Sequence, residues 1–564
     1  TAAGGIAGFE VNGLPAAPGA PFAEPCRTDV NELGQVDQIP LNRTIKGANI
    51  EMPIVINRVG WHFQQQRFEA LWEDVLPTLT GARAPQPMIM RLNSTDCAEF
   101  WHTNLVPNVY QLDDYQVRTP TDIIGQHIHL VKFDVMSADG SANGWNYEDG
   151  TLSPDEVRER IDAFNNGGGL RQLDGTVTTN LSPEPHPFFG PTGPDGQNWL
   201  GARTTIQRWY ADPLLERSWD GGVGTVFTHD HYGPSTHQQV GLYSTLLVEP
   251  EGSVWRHNET GTPLATRHDG GPSGWQAIIE PGPGGVDFEP HREFYFEFAD
   301  FQHAYEAGGG ALGSTNNGAG QQIPSYADFD DAINPSYRQP PPNPADIFYH
   351  PNNCPGGVGR PCPEAISADD PGTYALNFRN EPIGLRVFNG QLGAAAGQTP
   401  GDGGDLAFAY QSRTDRGIAA LNSQPATTYP PLTADVQPGD PWTPMLRVYM
   451  GDKVRIRVQV GAHEEEHNFT IPGLKWKQEP NSANSGWKNS EFFGIDEYFN
   501  LDVPIVPDTS SGTPAKVDYI YTVGAELEGM WNGVWGILRS YGSKRNDLEE
   551  LPRKPAGRNG YVIT

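Results

Sequence analysis

Short apolar runs alternate along most of this chain with polar, Gly- and Pro-rich stretches. Met52-Pro-Ile-Val-Ile56, Pro87-Met-Ile-Met-Arg91, Thr204–Tyr210, Gly224–Thr228 and Leu242–Val248 have the length and composition of strands. Val131-Lys-Phe-Asp-Val135 alternates apolar and polar, the period of a half-buried strand. Residues 1–50 read as loop. One helix is well marked: Ser153-Pro154-Asp155-Glu156 is a capping box with Pro at the first helical position. Val157 and Ile161 through Phe164 follow, and Asn165-Asn-Gly-Gly-Gly169 is the stop signal. Residues 306–375 are rich in Gly, Pro, Asn and Asp and read as a long loop or inter-domain excursion. A second strand-rich block opens at Tyr374–Phe378 and runs to about Tyr541.

The two blocks share a signature. Arg91 in the first precedes Asp96, and Arg447 in the second precedes Asp452, each Arg five residues before its Asp and each pair followed by a strand. His102 and His467 answer each other more loosely. A strand–turn–strand unit repeated at domain scale predicts a Greek-key β-sandwich used more than once.

Composition narrows the partners. The 564 residues exceed what one core holds. An aromatic content of 10% argues against disorder, and 66 Gly with 51 Pro argue for many turns. With 69 Asp+Glu against 38 Lys+Arg, the formal charge of −31 disfavours nucleic acid and anionic membranes and attracts cations, although solubility of an exported protein explains it as well. No run of apolar residues is long enough to span a bilayer. Cys354 and Cys362 bracket a Pro/Gly-rich loop suited to a disulfide, and Cys26 with Cys97 could form a second. Connectivity stays open at this stage, while the even count leans towards an oxidising compartment. The start at Thr1, without Met, and the end in what reads as a new strand suggest a piece of something larger.

The chemistry lies in two His-x-His pairs, His127/His129 and His229/His231, about a hundred residues apart. Residues i and i+2 of a strand point the same way, so each pair can offer two imidazoles to one centre. Imidazole suits copper, zinc, iron and nickel. The bland alternative is four ordinary strand histidines. Asp230 alternates to the other face and reads as structural support. His237, His102, His291 and His303 read as packing or supporting residues, and the tryptophans as core. Glu464-Glu-Glu466 reads as a solvated turn.

The order and context of the pairs resemble the multicopper oxidases. His229-Asp230-His231 is followed by Gln238 and then Gly241-Leu242, a run similar to that family's second His-x-His motif. The first pair departs from it, with Leu130 in place of the family's Gly and a longer gap filled by the helical insertion. Phe9-Glu-Val-Asn-Gly13, Ala23-Glu-Pro-Cys26, Gly125–His129 and Thr228–His231 are similar in style to large bacterial multi-cupredoxin oxidases of the manganese-oxidising kind. The resemblance implies an all-β fold of tandem cupredoxin-like Greek-key β-sandwich domains with long loop insertions. The expected division is a copper-bearing domain over 1–265 with a helical insertion near 150–170, a connecting segment over 266–375, and a degenerate domain over 376–564.

By the same resemblance His127 would serve a type 2 copper, and His129, His229 and His231 a type 3 pair. The full centre needs twice as many histidines, and a type 1 copper needs a cysteine flanked by histidines. No such Cys is present, and His463-Glu-Glu-Glu-His467 with Gly529-Met530-Trp531 look like worn copies of the remaining motifs. The implied partners are therefore a second polypeptide or segment carrying the type 1 copper, O2 as acceptor, and a reducing metal ion (Mn(II) first) or small molecule. The implied location is secreted, periplasmic or cell-surface. Two rivals stand beside this reading: a non-catalytic cupredoxin scaffold, and a self-contained four-histidine metal site.

Overall fold

Strands dominate the computed structural model, which describes most of residues 42–302 and 435–552, with 373–381, 410–412 and short strand pieces elsewhere. The chain divides into two compact units. The first takes residues 1–52, 65–251 and 265–273, and the second takes 53–64, 252–264 and 274–564.

In the first unit one sheet has the spatial order Gly150–Thr151, Ile124–Ile128, Gly224–Asp230, Tyr243–Glu249, Ile89–Asn93. The other runs Thr204–Tyr210, Cys97–Asn104, Arg43–Val55, His62–Leu71. The inward residues of the two sheets meet in one apolar cluster that includes Ile45, Met90, Phe100, Ile128, Trp209, Val226 and Leu246. Burying such side chains contributes roughly 1.5–3 kcal/mol each, which is what makes the sandwich the stable packing for these alternating runs. On the far side of the second sheet Trp72 packs on Phe188, Phe189 and His186, and Lys46 lies over Trp72 and Trp101.

The second unit repeats this plan. Its sheets run Ser253–His257, Gln276–Pro281, His291–Gln302, Lys453–Ala462, Tyr498–Pro504 and Leu446–Tyr449, Trp535–Tyr541, Lys516–Val523, His467–Thr470, Ser490–Phe493. In the first unit Arg43–Val55 lies parallel to Cys97–Asn104, and Ile89–Asn93 parallel to Tyr243–Glu249. The second unit pairs His291–Gln302 with Lys453–Ala462 and Leu446–Tyr449 with Trp535–Tyr541 in the same parallel sense. The turns match too. Asp96 accepts the Asn93 N–H at 2.7 Å and pairs with Arg43 at 3.0 Å, while Asp452 accepts the Tyr449 N–H at 2.7 Å and pairs with Arg292. Arg43 sits opposite Ala98 and Arg292 opposite Val454, so each Arg faces the residue two after its Asp. The repeated Arg–Asp spacing thus marks equivalent turns of two sandwiches, and the all-β tandem sandwich is the fold observed.

Three local expectations are corrected. Strands Gln276–Pro281 and His291–Gln302 lie in the stretch 266–375 read as a connection, yet they build a sheet of the second sandwich, so that unit opens well before residue 376. The long strand Arg43–Val55 begins inside the stretch read as loop. Val131–Val135 forms no strand. Leu130 adopts φ 57°, Val131 N–H turns back onto His129 O at 2.6 Å, and a helical turn Val135–Ala138 follows. The marked helix forms at Pro154–Asn166, with the Ser153 hydroxyl accepting the Glu156 N–H at 3.2 Å. Cys97 is buried and disulfide-bonded. Cys26, Cys354 and Cys362 lie outside the described residues, as do His303, His463, Trp531 and most of 306–375. Among the described residues no helix is long and apolar enough to cross a membrane.

Candidate metal centre

Neighbouring antiparallel strands Ile124–Ile128 and Gly224–Asp230 set His127 directly opposite His229. The two-residue period then carries His129 and His231 onto the same face. It turns Ile128 into the core and Asp230 into a fully buried position behind the strands. His129 N–H to Phe227 O at 3.0 Å and His231 N–H to Gly125 O at 2.8 Å extend the ladder past the strand ends, fixing the backbone under both outer histidines.

The four rings converge. Centroids of His127 lie 5.2, 5.3 and 4.4 Å from those of His129, His229 and His231. His129 and His229 are 5.3 Å apart, and His229 and His231 5.7 Å. His127, His129 and His229 each offer a ring nitrogen within 4.8 Å of the others. Phe227 stacks on His229 and meets His129 edge-on, and Phe133 stands at 90° to His127.

Asp139, which the sequence reading did not single out, ties the two pairs together. Its carboxylate oxygens lie 3.3 Å from His127 Nδ1 and 3.0 Å from His231 Nδ1, and its carbonyl lies 2.9 and 3.2 Å from the same atoms. His229 Nδ1 likewise meets the Asp230 carbonyl at 2.8 Å. Nδ1 donates in each case, which leaves Nε2 as the ligating atom. The turn bearing Asp139 can lie this close because residue 125 is glycine; a Cβ there would stand 1.6 Å from Gly140 O. An Asp-Gly turn pair is too common to have signalled this role.

Burial favours the neutral form of two of these rings, His127 and His229. It lowers the His127 pKa, helped by the neighbouring His231 and opposed by Asp139. It brings His229 down to about 4, opposed by the Asp230 carbonyl. Neutral imidazole is the form that binds metal.

Behind the strands lies a second polar layer. Asp230 accepts from the N–H groups of Gly125 at 2.8 Å and Gly233 at 2.7 Å and meets His237 Nδ1 at 3.2 Å, which pins the loop after His231. Burial works against the Asp230 charge, but His237 and the two amides hold its pKa low. His102 meets Asn49 at 2.6 Å, and burial lowers it to about 4. Glu69, bonded by the Ser244 hydroxyl, is raised by burial to about 8 and so holds its proton at neutral pH. Asp230, His237 and His102 are therefore supports, as read from the sequence, and Glu69 is an addition. His291 is buried packing as expected; of the tryptophans read as core, Trp209, Trp476 and Trp535 are fully buried, whereas Trp101 is only half-buried, beside Trp72 and Lys46.

The repeat shows what the second sandwich lacks. Counting along equivalent pairs places Thr522 where His229 stands and Thr470 where His127 stands. Pro472 then answers His129, and Gly473, with φ 91°, answers Leu130 with φ 57°. His467 falls three positions earlier, which turns it to the opposite face. It is buried there, bonded to Asp300 and packed on Phe298 and Tyr374. The reading of His467 as a worn copper ligand is corrected accordingly.

No protein-family model matches the chain, and no curated protein matches it. Among solved structures, a multicopper oxidase aligns at 11% identity and TM-score 0.36, covering 91% of this chain and 92% of that one. A copper nitrite reductase from Nitrosomonas europaea aligns at 10% identity and TM-score 0.37, covering 91% and 97%. Superpositions this loose assign neither family nor activity.

Proposed function

We propose that His127, His129, His229 and His231 hold copper and form half of an oxygen-reducing centre in an oxidase, the other half coming from a second polypeptide or segment. The observation that carries the reading is the convergence of four imidazoles, drawn from two paired strands, with Nδ1 of three of them engaged by Asp139 and Asp230. The donor set fits the ion: neutral nitrogen ligands suit copper in both oxidation states. Bound copper would supply the one-electron steps through which a reductant is oxidised and O2 is reduced to water. The chain's residues do the rest. The paired strands set the ring spacing, Asp139 orients one histidine of each pair, and burial disfavours protonation of His127 and His229.

In the finer assignment His127 serves a type 2 copper, His129, His229 and His231 serve a type 3 pair, and the type 1 copper lies outside this chain. The strongly acidic charge favours a cationic reductant, Mn(II) first, and an exported location. The test is metal content with copper EPR on natively isolated material, together with intact-mass analysis for a second polypeptide. Type 1 and type 2 signals with a partner chain support the split centre. About one equivalent of metal in this chain alone, with no O2 consumption, supports a self-contained four-histidine site instead. An intact assembly without copper overturns the catalytic reading.

A further inference from the structure

The insertion between the two histidine pairs carries a groove of about 560 Å³, a volume typical of small-molecule sites. One wall is the helix Pro154–Asn166, whose Val157, Ile161 and Phe164 fall on one stripe at spacings of four and three. Val157 is buried, but Ile161 and Phe164 are only half-buried, so the stripe lacks a full protein partner. The facing wall is the stretch 181–187, stiffened by Pro183, Pro185 and Pro187.

Hydrogen bonds hold the walls apart. Asn165 and Leu181 exchange a reciprocal pair, each at 2.8 Å, and Gly201 N–H donates to Glu184 O at 2.9 Å. The groove is therefore preformed. His186 on its wall is fully engaged, with Thr204 at 2.8 Å and the N–H groups of Phe188 and Phe189 at 3.2 Å, and serves as scaffold. The charges on the lining are Arg160, Arg203 and Glu184. Arg160 pairs with Glu156 at 2.7 Å. Arg203 is exposed, and its side chain makes no ion pair or hydrogen bond with another described residue. An exposed guanidinium with no partner among the described residues thus stands beside the apolar channel.

We infer that this groove binds a small amphipathic organic anion, its apolar body against Ile161, Phe164 and the prolines and its carboxylate or sulfonate at Arg203. The inference does not depend on the copper reading. The probe is 8-anilinonaphthalene-1-sulfonate, titrated into the full chain and followed by fluorescence, with uncharged N-phenyl-1-naphthylamine as comparison. Saturable single-site binding is expected. I161D or F164D, each putting a carboxylate on the apolar wall, should weaken it by about tenfold or more. R203A should weaken the sulfonate by about fivefold and leave the uncharged probe within about twofold. Arg203 is exposed, so R203A keeps the fold whatever the groove variants do. Absence of saturable binding, binding unmoved by both I161D and F164D, or an R203A variant that treats both probes alike would overturn the inference.

Discussion

His127 and His229 stand directly opposite each other on adjacent antiparallel strands, their ring centroids 5.3 Å apart. Cross-strand neighbours at this spacing interact without any loop having to close, so the site is as rigid as the sheet beneath it. Histidines 102 residues apart in sequence are made neighbours by strand register, and a slip of one residue in either strand would turn that strand's pair away from the other.

Asp139 orients two of these rings, so its removal should loosen the metal while the ligands stay in place. D139A is expected to weaken copper binding by about 10–100-fold, and D139N by less, since its amide oxygen still accepts. Competition titration against a chelator of known affinity measures this. Equal affinities in D139A and the parent chain would remove Asp139 from the account.

Glu69 predicts a distinct pH dependence. Its folded pKa of about 8 lies above the ordinary 4.5, so its contribution is fully present below 4.5 and is lost as pH rises through 8. E69Q keeps the neutral form at all pH values. It should match the parent near pH 5 and exceed it at pH 8–9 by a few kcal/mol, on the order of 2–4, in denaturant unfolding. Parallel pH profiles would show that Glu69 ionises normally.

His102 acts in the opposite direction. Its folded pKa of about 4 lies below the ordinary 6.5, so the stability it contributes is present above 6.5 and drains away as pH falls towards 4. The acid side of the parent's unfolding profile should flatten in H102Q, which cannot titrate.

Leu130 holds a left-handed φ of 57° at a position where the second sandwich uses Gly473, and it is 59% exposed. The left-handed conformation costs a non-glycine residue about 1–2 kcal/mol, and glycine's extra chain entropy returns roughly half of that. L130G should therefore stabilise the chain by about 0.5–1 kcal/mol, and G473A should destabilise it by a similar amount. A melting shift in the reverse direction for both would contradict the equivalence of the two turns.

His467 sits in the second sandwich's core, paired with Asp300. H467A removes a hydrogen-bond partner of that buried carboxylate and opens a cavity in the core, and should cost about 2–3 kcal/mol. Copper stoichiometry should not change. Loss of copper with stability intact would restore His467 as a ligand.

Much of the architecture was legible because it rests on local rules. The Ser153 cap and the Asn-Asn-Gly-Gly-Gly stop define the helix, and the His-x-His spacing defines which side chains share a face. The repeated Arg–Asp spacing was readable because both Asp residues cap equivalent turns. What failed lay outside those rules. Val131–Val135 has a strand's alternation, but the left-handed Leu130 redirects the chain before a strand can form. His467 resembled a motif in its letters, and only register shows it to be three positions off and facing inward. Glu69 joins the layer behind the site through packing with a distant strand, and Asp139, only twelve residues from His127, through a turn whose close approach no spacing in the sequence reports.

The most direct test of the central claim is equilibrium copper binding by the full chain, read by metal analysis and by EPR for nitrogen ligation, in parallel with the H127A/H229A double variant. The account predicts nitrogen-coordinated copper in the parent chain and its loss in the variant, with the fold unchanged. A parent chain that takes up no copper, or a double variant that binds it equally well, would contradict it.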